Sequence, residues 1–192
     1  MNYVWTQSRS SFLWAVVSLG ATVMRLLIAG WAFIRLLDTG MTSMHYFIIA
    51  IIAIILMDHI DGILFEKTFL SQIEIWKNRR RILDSVCDRL CIQFFCLPIL
   101  ILQPEFIVIY MIILSKELMT SITCIKAYGS NMVLSSNTAG KVSCIAIGAA
   151  VITWLLSLYY VAYNISLIIL VTGYISYLGY RDSYKKYLKE IE

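Results

Sequence analysis

Six apolar runs divide this chain, at roughly 11–37, 43–62, 82–103, 105–127, 140–162 and 164–180. A helix needs about 20 apolar residues to cross a bilayer, and every run falls near or above that length. The pattern predicts an all-α, polytopic membrane protein with six transmembrane helices, built as one domain over residues 1–192. Residues 1–10, with Trp5 and Arg9, read as a short interfacial lead-in. The first run is too long for a cleaved signal peptide and carries Arg25 inside it, so it is expected to be retained. Residues 66–81 mix apolar and charged side chains, as a short interfacial helix between two spans would.

Composition agrees. Of 192 residues, 60% are hydrophobic, 15% are charged and only 2 are proline. A soluble domain of this size carries more charge. The distribution of the +4 net charge says more than its size. Lys67, Lys77, Arg79, Arg80 and Arg81 fall between the second and third runs. Lys126 and Lys141 flank the link between the fourth and fifth, and Arg181, Lys185, Lys186 and Lys189 follow the sixth. The opposite loops, near Asp38, Gln103 to Glu105 and Asn164, hold no Lys or Arg. The positive-inside rule then predicts cytoplasmic basic loops and two cytoplasmic termini. The basic loops also suit an anionic lipid surface. For the C-terminal cluster, the simpler reading is that it only sets topology. No nucleic-acid partner is expected. The five cysteines lie in or at the ends of spans, without the spacing of a disulfide framework, and read as packing residues.

The candidate chemistry lies in four acids. Asp58 and Asp61 are three apart and share one helix face near the end of the second run. Asp84 and Asp88 are four apart and share a face at the start of the third. The two spans are consecutive and antiparallel, so both pairs lie at one depth. Acids at membrane depth face a partner, a watery cavity or a metal. Four converging carboxylates repel unless cations sit among them. Hard divalent cations prefer oxygen ligands, and a pair of them can clamp an in-line phosphoryl displacement. The bland alternative is ion pairing with Arg25 or Arg89, or exposure at helix ends.

These residues resemble the signature of the CDP-alcohol phosphatidyltransferases. That signature reads D-x-x-D-G-x-x-A-R, a gap, then G-x-x-x-D-x-x-x-D. Here Asp58-x-x-Asp61-Gly62 and Asp84-x-x-x-Asp88 match it. Asp84-Ser85-Val86-Cys87-Asp88-Arg89 looks like the family's D-S-x-A-D-K. Thr22-x-x-Arg25 is similar to its N-x-x-T-x-x-R, with Leu19 in the Asn position. Lys116-Glu117 resembles the R-E pair of phosphatidylglycerophosphate synthases, and Gly140-Lys141 resembles the start of their G-K-x-K-T. Phe65-Glu66 stands where the family has Ala-Arg, Arg80 stands at the glycine before the second acid pair, and the gap is longer.

The resemblance implies a transferase. It moves a phosphatidyl or other substituted phosphoryl group from a CDP-linked lipid donor to an alcohol, releasing CMP at the cytoplasmic face. It implies that Asp58, Asp61, Asp84 and Asp88 hold two divalent ions, Mg²⁺ or Mn²⁺, and that Asp88 is the catalytic base. It implies nucleotide contacts from Asp61, Gly62, Thr22, Lys67 and Arg80. Arg25, Lys116 and Lys141 would face the acceptor, with glycerol 3-phosphate a fitting one, and the protein would be a homodimer in the bilayer. Against the acceptor role stands pairing of Arg25 and Lys116 with acids inside the bundle. Lys116 and Glu117 are adjacent, point in different directions, and are not expected to face each other. Two rivals remain: a catalytically inactive homologue serving as a membrane scaffold, and a cation transporter.

Overall fold

Long apolar runs with few prolines leave the backbone one way to satisfy its own hydrogen bonds in lipid, which is the helix. A computed structural model describes residues 2–66, 73–130, 132, 134 and 137–191. Among them are six α-helices and no strand. These are α1 (Asn2–Thr39), α2 (Met44–Glu66), α3 (Glu74–Leu102), α4 (Ile107–Gly129), α5 (Thr138–Leu155) and α6 (Tyr159–Ile191). Each contains a stretch long and apolar enough to cross a membrane. The chain is a multi-pass, all-helical membrane protein. Residues of the N-terminal lead-in continue into the first span as part of α1.

Several boundaries differ from the sequence expectation. The third helix starts at Glu74 rather than near 82, so Lys77 to Arg81 are helical. No glycine or proline breaks that stretch, and Lys and Arg are good helix formers. The fifth helix stops at Leu155 rather than 162. Ser157 takes a left-handed backbone with φ of 61°, donating to the Trp154 carbonyl while Leu158 donates to that of Thr153. That is a Schellman closure with serine in the place usually held by glycine. The last helix therefore begins at Tyr159, absorbs Asn164 and runs past 180 to Ile191.

The chain packs as two compact units, Met1–Pro98 and Ile99–Glu192. In the first, Gly40 with φ of 61° and a 3-10 turn over Gly40–Ser43 fold α2 back against α1. The buried positions of α1 recur every three or four residues: Ser18, Thr22, Arg25, Ala29, Ala32 and Leu36. The matching stripe of α2 runs Phe47, Ala50, Ile51, Ile54 and Asp61. Each stripe begins or ends on polar residues and is apolar elsewhere. From α3, Phe94 meets Phe33 edge-on at 5.8 Å and Phe95 meets Phe47 at 5.1 Å.

In the second unit α6 packs against both α4 and α5. Asn137 caps α5 by accepting from the Gly140 amide at 2.7 Å. It also donates to the Ser176 carbonyl at 3.0 Å, tying the start of α5 to α6. A cluster around Trp154, with Phe106, Tyr159 and Tyr163, closes the other end, and the indole donates to Gln103 at 2.5 Å.

Gly173 of α6 lies against the Lys116 side chain of α4. A Cβ built there would lie 2.6 Å from Cγ of Lys116. Gly173→Ala is expected to destabilise the protein by about 1–3 kcal/mol, the usual cost of overpacking. Gly20, with nothing within 4 Å of its added Cβ, provides the contrast. Gly20→Ala should leave thermal unfolding in detergent unchanged or raise it slightly. Equal effects of the two would contradict this packing.

Candidate functional site

The polar ends of the three helices of the first unit meet. Thr22 and Arg25 extend the buried stripe of α1 by i+4 and i+7 from Ser18. Asp58 and Asp61 continue the stripe of α2, and Asp84 and Asp88 lie one turn apart on α3 beside buried Cys87 and Cys91. Helical spacing thus aims seven polar side chains at one point.

Arg25 occupies that point. Its side chain is 1% exposed and reaches all four aspartates. One terminal nitrogen, Nη1, donates to Asp58 and to Asp88, the latter at 3.0 Å. The other, Nη2, donates to Asp84 at 3.2 Å, to Asp61 at 3.4 Å and to Thr22 at 3.4 Å. Its Nε has no hydrogen-bond partner among the described residues. The bland pairing expected from sequence is therefore present for Arg25, and it involves four acids rather than one. Arg25, read from sequence as an acceptor contact, sits inside the acid cluster itself.

Arg80 is the second cation. It bonds Asp61 at 2.9 Å and Asp84 at 3.1 Å, and it donates to the Ser18 hydroxyl. Its guanidinium lies 4.2 Å over the ring of Phe65, a cation–π contact. Asp61 is fully buried and saturated. One oxygen accepts from Ser18 at 2.5 Å and from Arg80, the other from Thr22 at 3.0 Å and from Arg25. Asp58 and Asp88 are the open members, with side chains 56% and 48% exposed. The cluster therefore has a sealed floor at Asp61 and a mouth at Asp58 and Asp88.

Among these six charged side chains, four carboxylates face two guanidiniums, leaving two negative charges in excess. No three His, Cys, Asp or Glu side chains among the described residues close on one metal position. The carboxylates stand around Arg25 instead. As a donor set they fit a hard divalent cation: all oxygen, net negative, with two members open.

Other residues singled out from sequence fall elsewhere. Gly62 lies in the interior of α2 with open space where a Cβ would be. Lys67 lies outside the described residues. Lys116 and Lys141 belong to the second unit. Lys141 is exposed in the first turn of α5. Lys116 is buried and pairs with Glu117 at 2.5 Å, contrary to the expectation that neighbours cannot face each other. Both side chains are long enough to curl back across the turn, and burial leaves each charge in need of the other. Ser18, unremarked in the sequence, is part of the site. Its signal was its place four residues before Thr22 on the face that carries Arg25.

No protein-family model matches the chain, and no curated protein or solved structure matches it significantly.

Removing Arg25 would leave four acids without their shared cation. Arg25→Ala is expected to cost about 3–5 kcal/mol, the penalty for breaking a buried charge pair. Asp58→Asn, at the open mouth, should cost less than about 1 kcal/mol. Thermal unfolding of the two variants in one detergent compares them directly. A milder effect from Arg25→Ala than from Asp58→Asn would rule out a central role for the guanidinium.

Proposed function

We propose that this chain is a metal-dependent membrane transferase. It would move a substituted phosphoryl group from a CDP-linked lipid, such as CDP-diacylglycerol, to an alcohol and release CMP. The observation that carries this reading is the convergence of Asp58, Asp61, Asp84 and Asp88, from two different helices, on one polar centre with an excess of negative charge. In this reading the basic loops place that centre at the cytoplasmic edge of the bilayer. Lipid tails then reach it from the membrane and polar substrates from water.

The division of labour follows exposure. Buried Asp61 organises the floor through Ser18, Thr22 and both arginines. Asp88, half exposed, takes the proton from the acceptor hydroxyl. The alkoxide oxygen attacks the phosphorus next to the lipid, and the bond to CMP breaks in line, CMP leaving with the electron pair. Two Mg²⁺ or Mn²⁺ ions held by the four aspartates would neutralise the donor phosphates. Asp58, the other open carboxylate, faces the same mouth.

The departures from the family pattern support the reading because they are coupled. Phe65 stands in the family's alanine position and Arg80 in its glycine position, and these two side chains touch. Glu66 replaces a positive charge beside the acids, and Arg80 brings one back from α3. A charge lost on one helix is supplied by the next.

A second reading has its own observation. Arg25 and Arg80 already bond every acid of the cluster, as they would in a structural ion network of a non-catalytic membrane protein. Release of CMP separates the two. Purified protein in detergent, given CDP-diacylglycerol, Mg²⁺ or Mn²⁺ and a panel of alcohols including glycerol 3-phosphate, inositol phosphate and serine, should release CMP only with an acceptor. Chelation should stop it, and Asp88→Asn should lower it by about 100-fold or more. Folded protein that releases none with any acceptor establishes the structural network instead.

A further inference from the structure

The second unit carries a feature that the transfer reaction does not use. A cleft of about 440 Å³ lies between α4 and α6. Its charged lining is basic: Lys126, Arg181 and Lys185. No acid lines it among the described residues, although Arg181 keeps a long, exposed contact with Asp182 at 3.4 Å. Tyr177 and Tyr184 stand among the cations, and Tyr184 is anchored through its hydroxyl to Ser130 at 3.0 Å. The other side is apolar, with Met119 and Ile122 exposed on α4.

Helix length sets the depth of this cleft. The 33 residues of α6 extend about 50 Å, against about 30 Å of hydrocarbon. Roughly two fifths of the helix therefore stands clear of the lipid tails. Arg181 and Lys185 lie where it leaves them, and Lys126 lies in the last turn of α4. Tyrosines at that level are usual interface anchors. Met119 and Ile122 sit one to two turns deeper, at the level of acyl chains.

We propose that this cleft binds an anionic phospholipid of the surrounding bilayer. Its phosphate would rest among Lys126, Arg181 and Lys185, and one acyl chain along Met119 and Ile122. The occupant follows from complementarity of charge above and apolarity below, in the order that a phospholipid presents them. The basic cluster near the C-terminus then binds a ligand besides setting topology.

The test uses full-length protein in nanodiscs, one set of phosphatidylcholine alone and one with phosphatidylglycerol added. Lipid that stays bound after gentle extraction is counted by native mass spectrometry. Wild type should retain phosphatidylglycerol in preference to phosphatidylcholine. The triple variant Lys126→Gln, Arg181→Gln, Lys185→Gln should lose about ten-fold or more of that preference. A second triple variant, at exposed Lys77, Arg79 and Arg81 of α3, removes the same charge from the other unit and should keep it. Equal losses from both would mean net charge alone and overturn the proposal, as would no loss from the first. Inorganic phosphate added to wild type should not displace the lipid. Displacement by phosphate would show an anion site without a lipid, and also overturns it. Far-UV circular dichroism checks that each variant is folded, and the single variant Arg181→Gln, expected to show a smaller loss in the same direction, stands in if the triple variant is not.

Discussion

A guanidinium held almost completely away from solvent inside an apolar helix needs anions around it, and the first unit is organised by that need. Burying a charge without a partner costs several kcal/mol, and the cost falls only when its hydrogen-bonding groups are also satisfied. Arg25 meets the requirement at both terminal nitrogens, with four carboxylates from two helices, while its Nε has no hydrogen-bond partner among the described residues. Conversely, each of those acids would be expensive at membrane depth without it. The mutual dependence fixes the rotation of α1, α2 and α3 about their axes, because all three must aim their polar positions at one place. Apolar contacts such as Phe47 with Phe95 then fill the rest of the interface.

The second unit reaches close packing by other means. Glycine at 173 lets α6 approach the Lys116 stem, and Gly140 and Gly179 make room for Asn137 and Ser176. Small residues are the usual device where lipid offers no hydrophobic force between helices. The buried Lys116–Glu117 pair closes within one turn of α4, and the same ammonium reaches Sγ of Cys144 on α5 at 3.9 Å. The two units thus use ion pairs differently: in the first the salt bridges join helices, and in the second the buried salt bridge is made by neighbours on one helix.

Much of this was legible in the sequence. Six apolar runs predicted six helices because membrane depth allows little else. The stripe of α1 can be read as positions 18, 22, 25, 29, 32 and 36, and the acids fall on the same periodicity in α2 and α3. The helix ends were harder. Ser157 closes α5 by adopting a conformation that serine rarely takes, and no local residue announced it. The basic stretch at Lys77 to Arg81 read as part of a separate interfacial segment because it is charged, yet it is continuous with the third span, since charge does not oppose a helix that has left the hydrocarbon. Inside the site, convergence of the acids was readable from spacing. That Arg25 would join all four, with Ser18 and Thr22 holding Asp61, required the third dimension. Lys116 with Glu117 shows the limit of spacing rules, which locate Cβ atoms and not the ends of long side chains.

The position of Arg25 on the first helix also bears on biogenesis. During synthesis α1 leaves the ribosome before α2 and α3, so its arginine enters the membrane ahead of every acid that balances it. A buried arginine in a lone span opposes insertion by roughly 2.5–3.5 kcal/mol on translocon scales. The apolar length of α1 has to outweigh that alone, or the helix must wait at the insertion machinery until its partners emerge. Assembly of the first unit is therefore ordered in time by charge: the acids of α2 are the first to offset the arginine of α1, and α3 then brings further acids together with Arg80.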